Sequence, residues 1–299
     1  MPFDAVFGTL KRVNVYFDTS VYDRLEKQLV PSHEAEALTA AVHRGEINVY
    51  FGFPDAEELL GQWDNELGRP ATKRRLQIAA DLTGGFQWVL KPPNDLLAQA
   101  IRAYAERLPE PSPMVSAVTG LQAAALLRWA ASGGADIEHI DTLIADMLAK
   151  VRAAKTKFQE PMKIGEHGWN VARRLVLGWI DPENPRFEDL WRLSAGYWAM
   201  EFAKKLGVAD ACGRRGVADL LEVRSVKVAV GAGISLAYSA VVQGRRYQRN
   251  DAYDLWHAVS AATADAFVTF DDDLKEALDR VPITGFSVLS SLRELLGRG

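Results

Sequence analysis

The chain has one cysteine, Cys212, so no disulfide can form within it. A reducing cytoplasm fits that usage. No apolar run reaches the length of a membrane span, so no membrane partner is expected. Residues 1 to 12 carry Lys11 and Arg12 but no apolar core of signal-peptide length. There is no repeat of fixed period and no low-complexity tract. Basic residues are not in excess: 35 Lys and Arg stand against 39 Asp and Glu, a net charge of −4. That balance argues against a basic nucleic-acid-binding module, though not against an enzyme that gathers cations with carboxylates. The five histidines show no zinc-ligand spacing. Gly231-Ala232-Gly233 is followed by neither Gly-Lys-Ser/Thr nor a third glycine three residues on, which excludes a phosphate loop and a dinucleotide fingerprint.

What is present is a core-forming composition. Of 299 residues, 48% are hydrophobic, enough for a large core without disulfides. Val13 to Phe17 reads as a strand that stops at Asp18-Thr19-Ser20, a helix-start signal. Helical patterns run from Val21 to Leu29 and from His33 to His43. Ile47 to Phe51 reads as a second strand. Pro54-Asp55 opens a helix with Leu59, Leu60 and Trp63 as its apolar stripe. This β-α-α-β-α order predicts a parallel sheet. At the other end, Asn250 caps a helix whose apolar face is Leu255, Ala258, Val259 and Ala262. A strand at Ala266 to Phe270 follows, then a helix at Asp271 to Leu278, a strand at Pro282 to Leu289 and a helix at Ser290 to Leu296.

Between these ends the pattern is helical, rich in Ala, Leu and Arg, with apolar spacings at Leu143, Met147 and Val151 and at Val171, Leu175 and Ile180. The predicted organisation is therefore one α/β unit in two parts, residues 1–91 and 245–299, split by a mainly helical insertion over 92–244. Two separate domains are the alternative.

Three acidic residues stand where chemistry in such sheets is done. Asp18 and Asp271 each directly follow a strand. Asp254 lies in the first turn of the helix before the second of these strands. Ligands in parallel α/β sheets bind beyond the carboxyl ends of the strands. Carboxylates gathered there repel one another unless a cation sits among them, and hard oxygen donors suit Mg²⁺ or Mn²⁺. Singly, each acid also reads as a helix cap or a first-turn residue favoured by the helix dipole.

The local sequences extend the joint pattern. Val13-Asn14-Val15-Tyr16-Phe17-Asp18-Thr19-Ser20 resembles the opening of PIN-domain nucleases. Asn250-Asp251-Ala252-Tyr253-Asp254-Leu255-Trp256-His257-Ala258 resembles their third motif, Asp-x-x-His in an Ala-rich helix. Thr263 to Leu274 resembles the fourth, a strand ending in Thr-x-Asp, and Ile283 to Leu295 the last strand and helix. The resemblance spans residues 1–65 and 245–299 and leaves the middle of the chain unexplained.

It implies a PIN-like central parallel sheet flanked by helices. It also implies an endonuclease acting on single-stranded or structured RNA, with DNA as the alternative polymer. The carried-over catalytic and metal-holding set is Asp18, Glu58, Asp254 and Asp271, with Asp273 joining the Mg²⁺ or Mn²⁺ shell through water. Glu58-Leu59-Leu60 fits the second acidic position. Glu57 is the rival, because Asp55-x-x-Glu58 also fits a capping box and Glu57 lies nearer the apolar edge of the helix. Thr19 and Ser20 are expected to touch a ligand carboxylate or the phosphate. Thr269 is expected to orient Asp271, and His257 to pack or orient rather than ligate. Arg245, Arg246 and Arg249, with Tyr247, form a basic and aromatic cluster suited to phosphates and a base. Arg214-Arg215, Arg173-Arg174 and Lys73-Arg74-Arg75 read as exposed helix faces. The insertion reads as a lid, a homo-oligomer arm or a surface for a regulatory protein such as an antitoxin. A non-cleaving PIN-like scaffold and a hydrolase of small phosphate esters are the competing readings.

Overall fold

The structure, a computed structural model, describes residues 12–297 apart from 62, 64, 66, 133–139, 163–173, 175–177, 179–185, 213–217 and 245–250. Strand β1 (Val13–Phe17) is followed by helices α1 (Thr19–Glu26) and α2 (Ser32–His43). Strand β2 (Ile47–Tyr50) leads into α3 (Phe53–Leu60) and α4 (Arg69–Leu82). A run of helices comes next: α5 (Pro93–Glu106), α6 (Ala117–Ser132), α7 (Ile140–Met162), α8 (Phe187–Lys205), the short α9 (Ala209–Cys212), a 3₁₀ turn (Ala218–Glu222) and α10 (Arg224–Val242). The chain closes with α11 (Asp251–Ala261), β3 (Ala266–Val268), α12 (Asp272–Asp279), β4 (Ser287–Leu289) and α13 (Leu292–Leu296).

The four strands form one parallel sheet in the order β2-β1-β3-β4. Phe51 extends the β2 edge by a parallel bridge to Val89. Side chains alternate across the strands. Val15 and Phe17 enter one core with Val49, Val268 and residues of α1, α2, α3, α4, α6, α7 and α13. Tyr16 and Phe267 enter the other, built from α5, α8, α10, α11 and α12. Both sheet faces are covered, which is why the strands are largely apolar.

The helices of residues 92–244 therefore do not pack as a separate body. They share the two cores that the sheet nucleates. The boundaries at 92 and 244 mark a change of sequence pattern, and the apolar stripes of α5 and α10 cover the sheet. Helix α10 packs on α8, α11 and α12. Gly231 makes that approach feasible, because a Cβ there would stand 2.3 Å from Val281 Cγ1.

Several expected boundaries shift. The strand read from Ala266 to Phe270 ends at Val268, where the chain turns into the α12 cap. The strand read from Pro282 to Leu289 is confined to Ser287–Leu289, after the left-handed Gly285. In α7 the buried stripe is Ile144 and Leu148, while Leu143 is 41% exposed. The 3.6-residue period allowed either stripe, and packing against α3 and α6 selects one. Val171, Leu175 and Ile180 lie outside the described residues. No described helix is long and apolar enough to cross a membrane.

Candidate functional site

From β1 the chain moves outward to β2 on one side. It returns to β3 on the other side and continues to β4. The order reverses between β1 and β3, and at such a switch point a crevice opens beyond the carboxyl ends of the two strands. Asp18 follows β1 there, and Thr269 follows β3. A cleft of about 390 Å³ lies at this point, lined by Asp18, Glu58, Asp254, Asp271 and their neighbours.

Asp18 is the N-cap of α1 and is 7% exposed. Ser20 Oγ donates to its Oδ2 at 2.8 Å and Thr269 Oγ1 to the same oxygen at 2.7 Å. Thr19 Oγ1 stands 3.2 Å from Asp18 Oδ1 and also contacts Glu58 Oε2. One hydroxyl proton thus faces two carboxylates. The capping role expected of an isolated Asp-Thr-Ser is real, and it coexists with a place in the cleft.

Glu58 extends from α3 into the cleft, whereas Glu57 is buried and does not line it. Of the two, Glu58 is the one that lines the cleft. The His257 Nε2 on α11 lies 3.2 Å from Glu58 Oε2. Its Nδ1 lies 2.9 Å from the Tyr16 hydroxyl and 3.9 Å from Asp55 Oδ1. Asp55 is fully buried and accepts from the Gly52 N–H at 2.7 Å, the reach-back half of a capping box. Gly52 is needed at this position, since a Cβ would stand 2.9 Å from the Tyr16 hydroxyl oxygen.

These burials set the protonation states. Burial raises the Asp55 carboxyl to about 8, against the opposing pull of His257, the Gly52 N–H and the Tyr16 hydroxyl. Burial alone would lower the His257 imidazole. Glu58, through its charge and its hydrogen bond, reverses this with help from Asp18 and Asp55 and raises it to about 10. Near neutral pH Asp55 is a neutral acid and His257 an imidazolium that donates from both nitrogens.

The donor geometry fits a cation. One ligand atom each from Asp18, Glu58 and His257 lie within 4.8 Å of one another. In the metal-free chain the His257 Nε2 carries a proton that it would have to lose before ligating, whereas the carboxylate oxygens already suit Mg²⁺ or Mn²⁺. Asp254, 9% exposed one helical turn before His257, and Asp271 at the α12 cap complete the lining.

Other expected residues stand elsewhere. Asp273 is exposed on α12 and does not line the cleft, because it sits two residues past the capping Asp271 on the outward side. Thr269 acts chiefly on Asp18, and it meets Asp271 only by accepting its backbone N–H at 3.0 Å. Arg245, Arg246, Tyr247, Arg249 and Asn250 lie outside the described residues, as do Arg173, Arg214 and Arg215. The Lys73-Arg74-Arg75 run is not simply an exposed face. Arg75 turns inward, lines the cleft and pairs with Asp23 at 2.5 Å. Phe270 also lines the cleft, with the Arg24 guanidinium 4.3 Å above its ring.

Tyr16, Asp55 and Arg75 are the residues that sequence reasoning missed. The only local signal was Asp55 as a capping acid. Compared with family models, curated proteins and solved structures, the chain finds no match.

Proposed function

We propose that this chain is a divalent-metal-dependent endonuclease of the PIN-like type, hydrolysing phosphodiester bonds in RNA. One observation carries the reading. Four acidic side chains from four separate elements (Asp18, Glu58, Asp254 and Asp271) line a single cleft at the switch point of a parallel sheet. Like charges so gathered are stable when a cation lies among them. A bound Mn²⁺ or Mg²⁺ supplies charge against a phosphate and eases loss of a proton from water.

The chain's own residues do the rest. Asp18, Glu58, Asp254 and Asp271 hold the ion. Ser20 and Thr269 fix the Asp18 carboxylate, and His257 fixes Glu58. Arg75 supplies a cation that a substrate phosphate draws from Asp23. Phe270 offers a ring at the cleft for a base. The cleft is open rather than enclosed, which suits a polymer strand better than a small ester.

The test uses end-labelled single-stranded RNA and DNA with Mn²⁺, Mg²⁺ or EDTA. The wild-type chain is run beside an Asp18→Asn/Asp254→Asn double variant. Asn also caps helices, so α1 survives the change at Asp18. Metal-dependent cutting of RNA that the variant loses is the expected result. Equal cutting by both proteins, or none by either, rejects the proposal.

A further inference from the structure

A second cavity lies at the opposite end of the sheet, before β3 and β4. It has a volume of about 690 Å³, within the range of small-molecule sites. Ala262 and Thr263, just before β3, and Ile283 and Thr284, before β4, form one wall. Leu96, Ala100 and Tyr104 of α5 form another. The third is the start of α10.

That helix start is built for an anion. The first backbone bond of α10 runs from Lys227 N–H to the Val223 carbonyl. The N–H groups of Arg224, Ser225 and Val226 therefore have no acceptor within the helix. Val223 at the N-cap offers no side-chain cap, and the first turn contains no acid. Positive partial charge collects at such an end. Two cations, Arg224 and Lys227, add to it from the cavity lining. Among the described residues Arg224 donates to the Ala264 carbonyl at 3.1 Å, and neither side chain forms an ion pair with a described residue. Ser225 also lines the cavity. It is 2% exposed, and its hydroxyl has no hydrogen-bond partner. A buried hydroxyl is costly unless something accepts from it or donates to it.

Glu110 and Glu222 line the same cavity and are exposed, so they stand at its mouth. They disfavour a ligand that is anionic throughout. They suit one whose outer part carries hydroxyl donors.

We infer that this cavity is a binding site for the phosphate monoester of a sugar. The phosphate sits on the α10 N-terminus between Arg224, Ser225 and Lys227, and the sugar hydroxyls face Glu110 and Glu222. The site is separate from the acidic cleft and does not depend on the nuclease reading.

Isothermal titration of the full chain in EDTA tests this, with ribose 5-phosphate, adenosine 5′-monophosphate and uncharged adenosine as probes. Saturable one-to-one binding of at least one phosphate, and none of adenosine, is expected. Lys227→Ala weakens that binding by about tenfold or more, the loss of one charge-assisted contact. Ser225→Ala weakens it severalfold, yet does not lower the thermal midpoint of the free protein, because the hydroxyl has no partner there to lose. Asp18→Asn leaves it unaltered. No saturable binding of either phosphate overturns the inference. So does adenosine binding as tightly as its phosphate, or affinity that Asp18→Asn lowers and Lys227→Ala does not.

Discussion

The carboxylates that line the acidic cleft and the one that lies beneath it are handled in opposite ways. Asp18 is surrounded by neutral hydroxyls, from Thr19, Ser20 and Thr269, which hold it without neutralising it. Asp55 lies beneath, fully buried against Tyr16 and His257, and burial keeps its proton on to about 8. The first arrangement preserves charge for a ligand. The second removes charge so that the sheet end can pack. The lining is organised for binding and what lies beneath it for stability, so the two should respond to different perturbations.

The largest expected effect is at the lining. Asp18→Asn should lower metal-dependent RNA cutting by on the order of a thousandfold, the several kcal/mol that a lost metal contact withdraws from the transition state. Its urea midpoint should shift little, because Asn keeps the cap. A variant that unfolds as readily as it loses activity would erase the contrast. His257 reaches both the cleft and the cluster beneath, so its loss should lower stability as well as cutting. His257→Ala takes one partner from the Tyr16 hydroxyl and from the Asp55 carboxyl and leaves a cavity beside them. It should cost about 3 kcal/mol of unfolding free energy by urea titration.

The same pair sets a pH response for the metal-free protein. Asp55 is raised from 3.8 to about 8 and His257 from 6.5 to about 10. In both cases the folded chain holds a proton that the unfolded chain has released. Their joint contribution is thus complete below pH 3.8 and is lost as pH rises through 8 and then 10. The unfolding free energy therefore falls as pH rises. In Asp55→Asn the part of the decline centred below pH 8 should vanish. An unfolding free energy that rises over this range, measured in EDTA, would contradict the assignment. Next in size is Gly52→Ala, whose Cβ would meet Tyr16. Overpacking there should cost about 1–3 kcal/mol, read by thermal melting.

What sequence alone could read follows from the range of each interaction. Val13–Phe17, Ser32–His43 and the α12 cap at Asp271 depend on neighbours within a few positions, and they were legible to within a residue or two. Asp18, Glu58, Asp254 and Asp271 were identified through a motif resemblance, and the cleft brings them together. The cluster beneath was legible only at His257, singled out as a packing or orienting residue, because Tyr16 and Asp55 are ordinary where they stand and the partners of all three lie far off in the chain. A tyrosine in a strand, an acid at a third helical position and a histidine on an Ala-rich helix acquire meaning only when the sheet closes. Arg75 was misread for the same reason: its partner Asp23 lies on another helix. The middle helices were visible as helices, but periodicity does not say which core a stripe joins.

The smallest expected effect separates two acids two residues apart. Asp271 and Asp273 share the same acidic run, in which the Thr-x-Asp resemblance puts Asp271 at the strand end and leaves Asp273 a contact through water. Asp271 lines the cleft, and its Oδ1 accepts from the Leu274 N–H at 2.9 Å. Asp273 is exposed in the first turn of α12 and outside the cleft. The helix dipole favours an acid at such an exposed first-turn site by about 0.3–1 kcal/mol. Asp273→Asn should therefore change unfolding free energy by about 0.5 kcal/mol or less and leave RNA cutting within about twofold. A tenfold loss of cutting in Asp273→Asn would put this side chain in the metal shell after all. The cleft would then have to close around α12 when it binds, and the division between lining and exterior drawn from this structure would fail.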